Sequence, residues 1–340
     1  MKKGAPVSAG RKPRGKAPDP DAAPGNHSAR MRTRLRAAWM YHVERMTQNE
    51  IADALRTGRV TVVRLLADAV ARNEIKITIE GELAELVAAE RRLERRFNLT
   101  EAIVAPIAGP ASDRTHVVSA ATGAFVSDFV RAGMRLGVGW GRTLIESLAF
   151  MPSRQLADFT VVSLLGGITE ARRFNPSEYA WQLAKAFGGE CYLLAAPALV
   201  DSPETRATLI EKCGLDRIFQ LATELDAAIF SVGGMLPSAT IYQSGFMTDA
   251  DRRSLTASGA VGDLLYHFYD AGGALVGHPL NDRVMSIPVE TIRAIPQRIL
   301  TSGGGEKTAA LLGAIKLIQP TVFITDELTA KELLTLAGTA

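Results

Sequence analysis

Cysteine and histidine are scarce in this 340-residue chain, and neither occurs in a metal-binding or redox motif. The two cysteines, Cys191 and Cys213, form no CxxC pair and lie in apolar surroundings, so we expect two buried thiols. The five histidines include no His-x-His or His-x-x-x-His pair. The sequence therefore predicts no metal site and no cofactor.

Long hydrophobic runs are absent as well. A membrane-spanning helix takes about 18 or more apolar residues. The longest run, Cys191–Val200, is about half that length and contains Pro197. No apolar segment follows the basic N-terminus, so it does not resemble a signal peptide. These absences predict a soluble cytoplasmic protein with no membrane partner.

Net positive charge is confined to one end of the chain. Residues 1–80 carry 16 Lys and Arg against 8 Asp and Glu, a net charge of +8, whereas residues 81–340 carry a net charge of −5. This asymmetry indicates a polyanionic partner for the first part and a different task for the second. With 47% hydrophobic residues, the chain can form one large and one small core, so we expect two folded domains.

The most specific motif of the basic part is Thr47–Leu66, which is typical of two short helices around a tight turn. Thr47 and Glu50 fit a capping box at the start of the first helix. Gly58 is expected to provide the sharp reversal between the helices. The second helix is predicted to bury residues at i, i+3, i+4 and i+7 spacing: Val62, Leu65, Leu66 and Ala69.

The opposite face of this second helix carries side chains that can contact base edges and phosphates in the major groove: Arg59, Thr61 and Arg64. We predict a helix-turn-helix in which Gln48 and Val63 join these three as DNA contacts. An ordinary helical hairpin with solvated arginines is the alternative.

The remainder of the basic part completes this unit. Residues 1–28 have the composition of a disordered basic tail, and residues 29–46 predict a first helix. Three residues, four apart, mark its apolar side: Leu35, Trp39 and Val43. Residues 74–80 alternate in polarity as a strand does, so the predicted DNA-binding domain is residues 29–80.

Residues 81–98 predict a linker helix with a short heptad seam. Its apolar positions are Leu83, Leu86, Leu93 and Phe97, and Glu90 occupies the one polar position. The helix either associates between copies of the chain and aligns two DNA-binding heads, or packs against its own domain.

Apolar strands alternate with helices over residues 99–340. The best strand candidates are Ala102–Ala105, Met134–Val138, Phe159–Leu165, Glu190–Leu194, Ala227–Val232, Arg298–Thr301 and Thr321–Ile324. This pattern is typical of a mostly parallel sheet covered by helices on both faces, so we predict an α/β domain. Residues 260–296 break the rhythm and predict an irregular segment.

Glycines cluster where four of these strands end, which is where ligands bind in open α/β sheets. The first cluster comprises Gly139, Trp140, Gly141, Arg142 and Thr143. The others are Gly166–Gly167, Gly233–Gly234 and Ser302–Lys307. A single cluster is also what a tight turn needs, but four together indicate a phosphate held by backbone N–H groups, Arg142 and Lys307. Asp263, after Gly262, either binds sugar hydroxyls or caps the following segment.

In combination, these motifs resemble the SorC (sorbitol-operon regulator) family of sugar-binding transcriptional regulators. The resemblance runs from about Arg34 to Leu336 and depends on Met46–Leu55, Arg59–Leu66, Val138–Thr143, Ser163–Gly167, Gly262–Asp263 and Gly304–Lys307. It implies an effector domain similar to the ribose-phosphate isomerase and CoA-transferase group of folds, which binds a phosphorylated sugar and thereby changes operator affinity. It also implies homo-oligomers, often tetramers, for which we expect operators with inverted repeats.

Two other functions compete with regulation. A sugar-phosphate isomerase or deaminase with the same fold needs an acid and a base, and the candidates show no diagnostic spacing: Asp263, His267, Glu306 and Lys307. Such an enzyme has no use for a helix-turn-helix, and a ligand-free architectural DNA-binding protein has no use for the glycine-rich strand ends. The sequence therefore predicts a transcriptional regulator of a carbohydrate or polyol catabolic operon rather than an enzyme.

Overall fold

The computed structural model describes residues 24–72, 74–75, 83–109, 112–168, 175–243 and 247–338. The chain divides into two compact units, residues 1–79 and 80–340. The described part of the first unit contains the helices α1 (Pro24–His42), α2 (Gln48–Ala54) and α3 (Arg59–Ala71). The first helix thus begins before residue 29, where it was predicted to begin. Most of the predicted tail and of the predicted strand over 74–80 lies outside the described residues.

The first unit has a small core between its three helices. Its buried residues are Ala37, Ala38, Ile51, Ala52, Val62, Leu66 and Ala69. Of the predicted buried face of α3, Val62, Leu66 and Ala69 are buried and Leu65 is half-buried. The predicted apolar side of α1 is wrong, because Trp39 is 59% exposed and Leu35 and Val43 are exposed too. The two alanines face the core instead, since small side chains let helices approach closely.

The second unit is built on a seven-stranded sheet in which every pair is parallel. In chain order the strands are β1 (Glu101–Ala105), β2 (Arg135–Val138), β3 (Thr160–Ser163), β4 (Glu190–Tyr192), β5 (Ala227–Phe230), β9 (Gln297–Thr301) and β10 (Val322–Asp326). Their order across the sheet is β1-β10-β9-β5-β2-β3-β4. All seven predicted strands form, and the predicted α/β class is confirmed.

Helices cover both faces of this sheet, which explains why its strands are apolar throughout. They are α4 (Leu83–Phe97), α5 (Arg114–Phe129), α6 (Arg142–Ser147), α7 (Pro176–Phe187), α8 (Pro203–Lys212), α9 (Asp216–Ala222), α10 (Thr240–Gln243), α11 (Asp249–Ala257), α12 (Val289–Ala294), α13 (Thr308–Ile318) and α14 (Glu327–Gly338). Three short antiparallel strands form a second sheet: β6 (Gly233–Gly234), β7 (Gly262–Leu264) and β8 (His267–Tyr269). The segment predicted to be irregular supplies two of these three strands.

Helix α4 covers the free edge of the large sheet. Its residues Leu86 and Leu93 are buried, and the helix packs against β1 and α14. The Val104 N–H donates to Glu90 Oε1 at 2.9 Å, and the Ala102 N–H donates to Glu94 Oε1 at 3.3 Å. The two carboxylates thus satisfy edge amides of β1 that no strand pairs with, which explains the polar position in the apolar seam.

The cysteine prediction is wrong in part. Cys191 in β4 is half-buried, and burial raises the pKa of its thiol to about 11. Cys213 is exposed, because it follows α8, a helix with no fully buried residue.

Candidate functional site

Local hydrogen bonds fix the start of α2, and the backbone conformation of a few residues then reverses the chain between α2 and α3. The Thr47 hydroxyl accepts from the Glu50 N–H, and the Glu50 carboxylate accepts from the Thr47 N–H at 2.7 Å, so the predicted capping box forms. The reversal itself differs from the prediction. Arg56 adopts the left-handed conformation with φ 50°, whereas Gly58 is extended with φ −85° and serves as the N-cap of α3.

The outward face of α3 carries the predicted DNA contacts. Arg59, Thr61, Val63 and Arg64 are all exposed in the described unit. Arg59 Nε donates to Gln48 Oε1 at 3.2 Å, which joins the starts of α2 and α3. Val60 was not among the predicted contacts, and its side chain is 68% exposed at the start of the same helix. An apolar residue beside arginines at the start of a predicted recognition helix is the signal that could have added Val60 to the predicted contacts.

In the second unit, a cleft of about 130 Å³ opens at the carboxyl ends of β2, β5 and β9. Its lining includes five predicted effector residues: Trp140, Gly141, Arg142, Asp263 and Lys307. The other lining residues are Thr115, Ser231, Val232, Gly233, Gly234, Leu236, Ser238, Ala239, Thr240, Ile241 and Glu306. The cleft thus combines polar, apolar and charged groups of both signs at the edge of the sheet where ligands were expected.

Five predicted effector residues lie behind the cleft or away from it: Gly139, Thr143, Gly166, Gly167 and Gly262. The Thr143 side chain is buried on α6. At Gly166, a Cβ atom would lie 2.6 Å from the Ala196 carbonyl oxygen, and at Gly262 it would lie 2.5 Å from the Ala310 Cβ atom. At these two positions glycine permits close packing of neighbouring segments.

Asp263 is the most deeply buried charged residue of the cleft, with only 2% of its surface exposed. Its Oδ2 accepts from the Tyr266 N–H at 3.2 Å, where Leu265 and Tyr266 turn the chain with positive φ. Burial raises the pKa of Asp263 to about 6, although the Tyr266 N–H and Lys307 oppose the rise. The carboxylate therefore caps the turn, as one of the two predicted alternatives has it, and it also lines the cleft; its binding of sugar hydroxyls stays a prediction.

Gly233 makes room for this carboxylate. A Cβ atom at position 233 would lie 2.0 Å from Asp263 Oδ1. The two residues are paired in the antiparallel ladder between β6 and β7. From the sequence alone, Gly233–Gly234 is visible only as the end of a strand, because Asp263, the partner of Gly233, lies 30 residues further along the chain.

Lys307 provides a cation without a strong partner. Burial lowers the pKa of its ammonium group and Arg142 adds to this, whereas Glu306 and Asp263 act in the opposite direction. Among the described residues, no carboxylate oxygen forms a salt bridge with its Nζ atom within 4.0 Å. The residue ends a short 3-10 turn and precedes the first turn of α13.

Arg142 is already paired. Its Nη2 lies 2.6 Å from Asp113 Oδ2, and its Nε lies 2.7 Å from Glu146 Oε1. The hydrogen bond to Glu146, followed by the charges of Glu146 and Asp113, raises the pKa of the guanidinium. Asp113 also accepts from the N–H groups of Thr115 and His116 at the start of α5. The arginine is thus at the cleft, but two carboxylates offset its charge.

Trp140 forms an aromatic wall of the cleft. Its ring stacks on Tyr266 with the centroids 5.4 Å apart and an interplanar angle of 30°. An aromatic wall in a cleft that also contains polar groups suits the C–H face of a small polyol or sugar. Within the described ranges, no three His, Cys, Asp or Glu residues converge as a metal site requires, and no helix is long and apolar enough to cross a membrane.

Comparison with known proteins gives consistent matches. The family model of a sugar-binding domain, Sugar-bind, matches residues 82–335. The erythritol catabolism regulatory protein EryD of Brucella abortus (strain 2308) is 31% identical over 303 residues, which cover 88% of this chain and 95% of that protein. The deoxyribonucleoside regulator of Bacillus subtilis (strain 168) is 29% identical, covering 88% and 96%. The crystal structure of the full-length sorbitol operon regulator SorC from Klebsiella pneumoniae is similar with a TM-score of 0.72 and 25% identity, covering 89% of this chain and 98% of that one.

Proposed function

The chain belongs to the SorC family of sugar-binding transcriptional regulators, and from this premise we propose that a phosphorylated sugar binds in the cleft and changes operator affinity. The observation that carries the ligand class is Lys307, a half-buried cation at the cleft with no salt-bridge partner among the described residues. A cation kept partly out of water is stabilised by an anion that reaches it. Lys307 also lies directly before the first turn of α13, and a helix N-terminus favours an anion.

The other cleft residues favour a polyol attached to that anion. Asp263 is an acceptor in a fixed direction, which suits a sugar hydroxyl, and Trp140 covers an apolar face. Arg142 contributes less charge than its type suggests, because Asp113 and Glu146 already bind it. We therefore assign the phosphate mainly to Lys307 and the backbone, and the hydroxyls to Asp263.

The ligand class can be tested with matched pairs of compounds. Thermal unfolding of the purified chain is followed with ribose and ribose 5-phosphate, glucose and glucose 6-phosphate, and inorganic phosphate. A compound that binds only the folded state stabilises it by about 2.7 kcal/mol at one hundred times its Kd. We expect at least one sugar phosphate to raise the Tm and its free sugar to have no comparable effect.

A matched pair of lysine variants provides the control. Lys307→Gln should abolish the response to the sugar phosphate, whereas Lys316→Gln should keep it. Lys316 lies on α13, the helix that follows Lys307, but its ammonium donates to the Ala271 carbonyl at 3.0 Å and does not line the cleft. Equal stabilisation by phosphorylated and free sugars contradicts the phosphate assignment.

We assign operator binding to the outward face of α3, with contacts from Arg59, Thr61, Val63 and Arg64 and from Gln48 on α2. Arg59→Ala/Arg64→Ala should weaken binding to DNA fragments from the chain's own genomic neighbourhood, by about 1–3 kcal/mol for each arginine that reads a base. A matched pair, Arg32→Ala/Arg36→Ala, removes two exposed arginines from α1 and controls for charge. Unchanged binding by the α3 variant contradicts the assignment.

The α/β unit is expected to supply most of the subunit interface of a cytoplasmic homo-oligomer, a tetramer by family resemblance. Inverted-repeat operators follow from that symmetry. A fragment of residues 81–340 that is monomeric in light scattering at micromolar concentration contradicts this assembly.

An isomerase or deaminase has less support. His267, one of the four catalytic candidates, does not line the cleft. It is buried, and its Nε2 lies 3.0 Å from the Ile287 carbonyl oxygen and 2.8 Å from Ser286 Oγ. The similar proteins are named as regulators rather than enzymes.

A further inference from the structure

Helix α4 has two faces of opposite character. The inner face packs Leu86 and Leu93 against the α/β unit and directs Glu90 and Glu94 to the edge amides of β1. The residues of α4 that are exposed, its outer face, include four arginines and a single acid: Ala84, Glu85, Val87, Ala88, Arg91, Arg92, Arg95 and Arg96. The predicted heptad seam is therefore turned inward. The surface left to solvent is cationic.

The acids of α4 offset the charge of this outer face only in part, because one of the three, Glu85, is exposed. Glu90 and Glu94 accept hydrogen bonds from the sheet edge, and only Arg91 forms a salt bridge with one of them, at 2.9 Å to Glu94. Among the residues described, Arg92 and Arg95 have no ion-pair partner. Several positive charges thus lie together on a part of the chain, residues 81–340, whose net charge is −5.

From this face we propose that α4 is a second DNA-binding surface, which contacts backbone phosphates of the duplex. This inference rests on the proposed operator binding. Exposed guanidinium groups in one row complement a duplex, which carries one negative charge for about every 1.7 Å of its axis. The row runs along the C-terminal half of a 15-residue helix, so it follows a backbone rather than a single phosphate.

A second copy of the chain fits the outer face less well. A parallel pair of α4 helices places arginines opposite arginines, and like charges at such a seam are unfavourable. The one large apolar side chain exposed on the described part of α4 is Val87. That is too little apolar surface to hold two helices together in water.

Salt dependence measures phosphate contacts directly. We compare the full-length chain with the Arg91→Gln/Arg92→Gln/Arg95→Gln variant on a fluorescent random-sequence duplex of 40 base pairs, because phosphate contacts do not depend on sequence. The slope of log K against log[NaCl] changes by about 0.9 for each phosphate contact. We expect the slope of the variant to be shallower by about 2 to 3 for each engaged copy of the chain.

A control variant, Arg131→Gln/Lys212→Gln/Arg253→Gln, removes the same charge from exposed positions elsewhere in the unit and should keep the wild-type slope. Equal slopes for the two variants overturn the proposal. A lower Tm or a changed mass in light scattering for the α4 variant also overturns it, because either result shows that the face is packed. A wild-type chain that does not bind the random-sequence duplex overturns this inference, whereas the proposed operator binding is refuted separately, by a failure to bind the genomic fragments.

Discussion

Replacing Asp263 with Asn tests whether this carboxylate is kept at a cost in stability. The side chain is 2% exposed at the cleft, and asparagine has nearly the same shape. Its amide oxygen can still accept from the Tyr266 N–H, as Asp263 Oδ2 does at 3.2 Å. The substitution therefore removes the charge while it preserves the turn.

The magnitude follows from the shifted pKa. Burial raises the pKa of Asp263 from 3.8 to about 6, so the native state holds this proton more tightly than the unfolded state. The free energy of unfolding therefore falls as the pH rises from about 4 to about 6. The full shift corresponds to about 3 kcal/mol, and about 1.4 kcal/mol of it lies between pH 5 and pH 7.5.

Urea unfolding without any ligand measures this directly. We expect the unfolding free energy of Asp263→Asn, relative to wild type, to increase by about 1.4 kcal/mol between pH 5 and pH 7.5. Asp128→Asn, which replaces an exposed carboxylate on α5, should show no such change. A pH-independent difference for Asp263→Asn refutes the reasoning. The expected result identifies Asp263 as a residue retained for function, since active and binding sites commonly hold strained charges.

Three further substitutions follow from particular contacts. Glu90→Ala should lower the unfolding free energy by about 1–3 kcal/mol, because the Val104 N–H loses its acceptor, whereas Glu90→Gln keeps one and should cost less in the same urea titration. Thr47→Ala should destabilise α2 by about 0.5–2 kcal/mol and speed hydrogen exchange of its first amides, and unchanged exchange contradicts the capping box. Gly233→Ala should remove the sugar-phosphate response in thermal unfolding, because its Cβ atom would displace Asp263; a full response with a native far-ultraviolet spectrum contradicts that geometry.

Local patterns in the sequence were sufficient for most secondary structure. The capping box depends on two residues three apart, so it formed as predicted between Thr47 and Glu50. The seven parallel strands were visible because a sheet covered on both faces demands continuous apolar segments. The family resemblance was visible for a related reason, since its motifs are short and follow each other in order along the chain.

The face that each element buries was harder to predict. On α1 the bulky apolar residues Leu35, Trp39 and Val43 are exposed, and the alanines face the core. Periodicity shows that a helix has an apolar side, but the helix that packs against it determines which side is used. On α4, likewise, nothing local shows that Glu90 accepts from an edge amide of β1.

By itself, the sequence determined the two-unit organisation, the α/β class, the two helices around a turn in the first unit and the edge of the sheet where the cleft lies. Only the tertiary structure decided which residues line the cleft, because segments far apart in the chain meet there. It assembled Lys307 and Asp263 with Gly233, left Gly166 and Gly167 outside, and paired Arg142 with two carboxylates. Backbone hydrogen bonds and periodicity act over a few residues, whereas burial, pKa shifts and ion pairs depend on neighbours that only the folded chain brings together.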